Sequence, residues 1–172
     1  VNPTVTVTVN VSGNRIQENN VPENLVSTMT KNIQISSNIA LTGKVVRTIG
    51  PFANTGPIPP KADNATTYTI VWTVDNTSSS VRNAKVTSAL PAYVMWQGVV
   101  SPSSEIVNYD KNSGIITWDI GNVETYTANS ARRREVNFQV SFTPSVAQVN
   151  QSPTLLNQAT LTAVDNFTKE NL

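Results

Sequence analysis

The stretch spanning residues 67–91, TYTIVWTVDNTSSSVRNAKVTSALP, limits what this chain can fold into more than any other. Tyr68, Ile70, Trp72 and Val74 fall on one face of an extended chain, and Thr67, Thr69 and Thr73 on the other, because successive side chains of a strand point to opposite sides. Aromatic and β-branched residues suit a pleated surface packed on one side, so this is a half-buried strand. The polar run 76–80 ends it, and a second alternating run leads to Leu90 and Pro91. Two such runs around a polar turn read as a hairpin at the heart of the core.

The remainder of the chain is also β in character. Near the N-terminus Val5, Val7, Val9 and Val11 share one face and Thr4, Thr6 and Thr8 the other, a strand with an apolar side to bury. No alternating run follows at hairpin distance, so its partner is expected to be remote in sequence. Pro22 with the stripe Leu25, Val26, Met29 and Ile33 fits a short helix or a surface linker. Strand segments follow around Ile39, Leu41 and 45–49, and then residues 50–61, GPFANTGPIPPK. Proline lacks the ladder donor and restricts the residue before it, so 50–61 is a stiff crossover; a polyproline ligand is the alternative. A strand is expected at 92–100, and a hairpin at 106–121 with the turn DKNSG, whose Gly114 suits positive φ. Residues 134–143 carry Val136, Phe138, Val140 and Phe142 on one face. A final strand is expected over 154–167, with Ala159, Leu161 and Ala163 on one side. Short strands broken by Gly, Pro, Asn and Ser at regular spacing argue for an all-β fold, an antiparallel sandwich.

Composition narrows the function classes. Only 13% of the 172 residues are charged and the formal net charge is +1, so no strong field points to nucleic acid or to an acidic membrane surface. Cysteine and histidine are both absent, which removes disulfides, the thiol nucleophile, the commonest general base and the usual zinc ligands. No enzymatic activity is expected. No apolar run approaches the roughly 20 residues that span a bilayer. Asn, Thr and Ser make up about a third of the chain, as in β-rich surface proteins whose outward faces are covered by hydroxyls and amides. Since no signal peptide is visible at the start, the sequence reads as a mature or excised segment.

The segments SSNIALTGKVV, GPIPPK, TYTIVWTVDNT, VTSALPAYVMW, YDKNSGIITWDIGNV, REVNFQVSFTPS and LLNQATLTAVDNFT occur in this order over about residues 37–168. They resemble the Ig-like "conserved repeat" domains of very large bacterial cell-surface proteins. The matching positions are Tyr68, Thr69 and Asn76, then Leu90 and Pro91, then Tyr109, Asp110, Gly114, Trp118 and Gly121. The resemblance implies an Ig-like sandwich over 37–172, an extracellular place at the cell surface, and no catalysis. Residues 1–36 lie outside it, as an N-terminal strand and linker.

Several constellations have competing readings. Asp63, Asp75, Asp110, Asp119 and Asp165 are turn-forming aspartates or, alternatively, ligands of a structural calcium ion; no other cofactor is expected. Arg132, Arg133 and Arg134 are a solvated strand start or a grip on an acidic partner. Trp72 and Trp118 belong in the core by their alternation, with Trp96 less determined; a sugar-binding platform is the alternative. Glycosylation triplets start at Asn10, Asn64, Asn76, Asn150 and Asn166. Lys44 and Asn157 are the pair to inspect for an intramolecular amide crosslink, and Glu105 with Asp119 for two-carboxylate chemistry.

The functional expectation rests on the first strand. A row of Val5, Val7, Val9 and Val11 is costly to leave in water, so the strand is expected to add to the sheet edge of a neighbouring copy or repeat, head to tail, building a fibre, pilus-like filament or surface layer. The alternative is an adhesin module that meets a cell-envelope or host-surface glycan, or a host protein, through loops at one end of the sandwich.

Overall fold

The computed structural model describes residues 2–16, 22–125 and 133–172. Ten strands follow in order: β1 (Thr4–Ile16), β2 (Pro22–Gln34), β3 (Ile39–Val46), β4 (Thr66–Asn76), β5 (Val81–Ala89), β6 (Val94–Ser101), β7 (Ile106–Tyr109), β8 (Ile115–Val123), β9 (Arg134–Phe142) and β10 (Thr160–Asp165). The fold is all-β. Strands β3-β4-β9-β6 form one four-stranded antiparallel sheet and β10-β5-β8-β7 a second. The two sheets make the expected sandwich, and β1 and β2 form a separate two-stranded sheet.

The core lies between the sheets. Ile70, Trp72 and Val74 from β4 and Val136, Phe138, Val140 and Phe142 from β9 meet Val86 from β5 and Ile116, Trp118 and Ile120 from β8. Trp72 and Trp118 stack across the layers with ring centroids 6.5 Å apart, and Phe138 meets Trp72 edge-on at 4.9 Å. Such pairs add about 0.5–1.5 kcal/mol beyond area burial. Trp96 is only partly buried; it stacks on Tyr109 at 5.7 Å and packs against the core. Sheet-to-sheet burial of this kind requires period-two strands, as residues 134–143 display.

Three elements differ from expectation. Strands β4 and β5 do not form a hairpin, because they lie in opposite sheets. The link between them crosses the sandwich at Asn76, which is buried and donates its side-chain amide to the carbonyls of Ser79 and Val123. Residues 22–34 form strand β2 rather than a helix or linker. β1 is therefore not unpartnered: it pairs with β2 in antiparallel register from Thr4↔Gln34 to Ile16↔Pro22. Thr and Ser are poor helix formers, and the edge of β1 offers every residue of β2 a ladder. Strand β10 is shorter than expected, since the chain just before it is held by other bonds: Asn157 N–H donates to Ala89 O, and Ser88 Oγ donates to Asn157 O. The turn at 110–114 is as read, with Gly114 at φ 70° and Asp110 accepting from Asn112 N–H and Ser113 Oγ.

Candidate functional site

The β1–β2 hairpin is the first candidate. Directly opposed residues of an antiparallel pair share a face, so the register places Val5 with Ile33, Val9 with Met29, and Val7 and Val11 in the same row opposite Lys31 and Ser27. Leu25 completes that face, opposite Gly13. The other face is a hydroxyl and amide ladder. There Thr6 Oγ1 donates to Asn32 Oδ1 at 2.8 Å, Thr28 Oγ1 donates to Asn10 Oδ1 at 2.8 Å, and the Thr8 and Thr30 hydroxyls meet at 3.4 Å. The hairpin is thus largely two-sided, one face mainly apolar but carrying Lys31 and Ser27, the other mainly polar but carrying Val26 opposite Ser12.

Neither face is covered. Val5, Val7, Val9 and Val11 are 42–62% exposed, and Leu25, Met29 and Ile33 are exposed as well. A two-stranded hairpin alone in water is marginal at best, and this row of exposed apolar side chains has no cover among the described residues. The sequence-derived residues Val5, Val7, Val9 and Val11 therefore sit together in one row, joined by three apolar side chains of β2 that the strand pattern had not revealed.

The hairpin is rooted in the sandwich by a buried polar cluster. Asp165 Oδ2 accepts from Ser37 N–H at 2.5 Å and from Ser79 Oγ at 3.2 Å, while Oδ1 accepts from the N–H groups of Phe167 and Thr168. Ser37 Oγ in turn lies within hydrogen-bond reach of Asn76 Oδ1 and Ser79 O, with one proton to give between them, and accepts from Ser79 N–H. Burial alone would raise the Asp165 pKa, but the donors from Thr168, Ser37, Phe167 and Ser79 outweigh it and hold the carboxyl below its ordinary value. Thr77 N–H and Oγ1 both reach Asn38 O. Residues 36–38 are therefore pinned across the end of the sandwich.

A second candidate is a groove of about 620 Å³ on the side where β3 and β10 end their sheets. Leu41 and Val45 of β3, Ile70 and Trp72 of β4, and Leu155 and Leu156 of the segment before β10 line it. Register sets Val45 against Ile70 and Gly43 against Trp72, so this row of β3 faces the core. Val45 is nevertheless exposed. The sandwich is open here, beside the free edge of β3.

The remaining sequence candidates are placed as follows. Arg133 pairs with Asp75 at 3.0 Å, and Arg134 with Glu105 at 2.8 Å; Arg132 lies outside the described residues. Glu105 also accepts from Trp118 Nε1–H at 2.8 Å, so it is committed to an internal clasp. Asp119 is exposed on the opposite face of β8 from Trp118, and the two carboxylates do not form a reactive pair. Trp72 and Trp118 are buried, which leaves no sugar platform built from them. Among the described residues no three acidic side chains gather as a metal site. Lys44 and Asn157 both border the groove, with no acid among its lining residues. Asn76 is buried and hydrogen-bonded, hence closed to glycosylation, whereas Asn10, Asn64 and Asn150 are exposed. Among the described residues no helix is long and apolar enough to cross a membrane.

No family model and no curated protein matches this chain. Among solved structures it is similar to the major pilin subunit of Bacillus cereus, at 14% identity and a TM-score of 0.40. That match covers 94% of this chain and 44% of the other, so the chain spans less than half the length of the structure it resembles.

Proposed function

We propose that this protein is a structural building block of an extracellular surface assembly, in which copies join head to tail through the N-terminal hairpin. The observation that carries this reading is the uncovered row of Val5, Val7, Val9 and Val11, extended by Leu25, Met29 and Ile33 across the ladder. A face of this kind loses free energy in water at about 25 cal/mol per Å² and regains it on contact with an apolar partner. A chain poor in charge and rich in Asn, Ser and Thr, free of Cys and His, suits a scaffold. The buried acids Glu105 and Asp165 are taken up by internal donors.

Electron microscopy and sedimentation of the purified chain, over a wide concentration range, test the reading. Concentration-dependent oligomers or filaments are expected, together with their loss in a chain that begins at Ser36. A strictly monomeric chain at the highest concentrations refutes it, as do oligomers indifferent to the truncation.

A further inference from the structure

We infer that the groove beside β3 is the receptor for the hairpin of a second copy of this chain, with β1 lying along the free edge of β3 and its valine row closing over Trp72 and Leu155. The inference rests on the assembly reading above and names the surface that the hairpin meets. Four observations support it.

Edge and length agree. β3 is the terminal strand of its sheet, so one row of its backbone donors and acceptors lacks a ladder, and such an edge is a template for another strand. Its seven residue steps from Ile39 to Val46 span about 23 Å, and the six from Val5 to Val11 about 20 Å, at roughly 3.3 Å per residue. The valine row therefore fits within the edge.

Chemistry agrees as well. The groove is walled mainly by Leu41, Val45, Ile70, Trp72, Leu155 and Leu156, with Lys44, Thr154 and Asn157 also at its border, and an added strand that continues the β3 pleat turns one face toward this wall and the other to solvent. The β1 strand of the hairpin has its valines on one face and hydroxyl and amide side chains on the other, which is what such a position demands.

The chain's own hairpin is kept from this place. Only residues 35–38 separate β2 from β3, and of these Ser37 is tied to Asp165, Asn76 and Ser79 while Asn38 is tied to Thr77. A fold-back hairpin would need the same residues to reverse the chain. With the link pinned, the occupant is supplied by another copy.

Finally, pairing of two hairpins face to face is disfavoured. It would press Lys31 of each copy, which lies in the apolar row opposite Val7, into the other's valines, burying unpaired charges. It would also leave the groove open. Addition of β1 to β3 keeps β2, and Lys31 with it, on the outer side of the joint. Such a contact is heterologous, since hairpin meets groove, and repeats into an open chain of copies.

The test uses two full-length variants. Val9→Glu damages the donor face and leaves the groove intact; Leu155→Glu damages the groove and leaves the hairpin intact. Each alone is expected to weaken self-association at least tenfold in sedimentation. Mixed in equal amounts, they are expected to form a one-to-one dimer that grows no further, because one intact hairpin meets one intact groove. Absence of that dimer overturns the inference, as does unweakened association of Leu155→Glu. If Leu155→Glu loses the β-sheet circular dichroism of the parent, Val45→Glu, at an exposed position, takes its place. A wild-type chain that never associates removes the assembly reading itself, whereas wild-type association without complementation removes only the groove assignment.

Discussion

Replacing Val5, Val7, Val9 and Val11 together by threonine isolates the contribution of the valine row. Threonine keeps the β-branched shape and the strand preference, so the hairpin persists and only one methyl per site is exchanged for a hydroxyl. A buried methylene-sized group contributes about 0.8 kcal/mol. Roughly half of each valine is already out of water within the hairpin, so assembly can recover only about 0.4 kcal/mol per site. Over four sites the loss is about 1.6 kcal/mol, or roughly 15-fold in the dissociation constant. This is a lower bound, because a hydroxyl buried without a partner costs a further ~1–3 kcal/mol. Sedimentation equilibrium reads the constant directly, and thermal unfolding of the same samples checks that the sandwich is unchanged, as expected for side chains that pack against none of its core. A dissociation constant within twofold of the wild type, with the hairpin still formed, would refute the assignment of the valine row to the interface.

Three further outcomes test the framework that holds the hairpin. The Asp165 carboxyl is held below its ordinary value, so its stabilisation is present above the unfolded-state pKa of about 3.9 and is lost as pH falls through the folded value; Asp165→Asn should lower stability at neutral pH, flatten the acid limb below about pH 4 in denaturant titrations, and speed exchange of the Ser37 amide. Glu105→Ala leaves Arg134 without its bidentate partner and Trp118 Nε1–H without an acceptor; a cost of about 2–3 kcal/mol follows from breaking a largely buried pair, visible as a melting temperature lowered by roughly 5–10 °C. Gly56 sits at φ 99°, and a Cβ there would lie 2.3 Å from Ala65 O; Gly56→Ala should cost at least about 2 kcal/mol in chemical denaturation.

The sandwich was legible because its inward rows alternate without a break. Val136, Phe138, Val140 and Phe142 admit one period only, and Trp72 and Trp118 occupy inward positions of such rows. The hairpin partner was not legible. Leu25, Met29 and Ile33 are spaced by four residues, and a spacing of four keeps side chains on one face of a helix and on one face of a strand alike. Ser27 and Lys31 stand at the positions that would have distinguished the two. The crossing between β4 and β5 was hidden for a related reason: the link is short enough for a hairpin, and what sends it across the sandwich is the burial of Asn76 against Ser79 and Val123. The Asp165 cluster joins residues 128 positions apart, a distance over which sequence pattern carries no signal.

The root of the hairpin and the open groove gain meaning together. A chain with an apolar ribbon and an apolar groove so close in sequence has a simple way to satisfy both, which is to fold the ribbon back. Closing within one molecule costs little entropy when the loop is short, so an open arrangement needs a device that blocks it. The bonds from Ser37 and Asn38 to Asp165, Asn76, Ser79 and Thr77 supply that device, at the one link where reversal would occur. On the proposed reading this is the logic of domain swapping made permanent: the hinge is held in its extended form, and contacts that one chain could make with itself would be left for a neighbour. On the proposed reading, the polar cluster at the end of the sandwich is thus as much a part of the assembly site as the valines, because it decides between a closed monomer and a chain of copies.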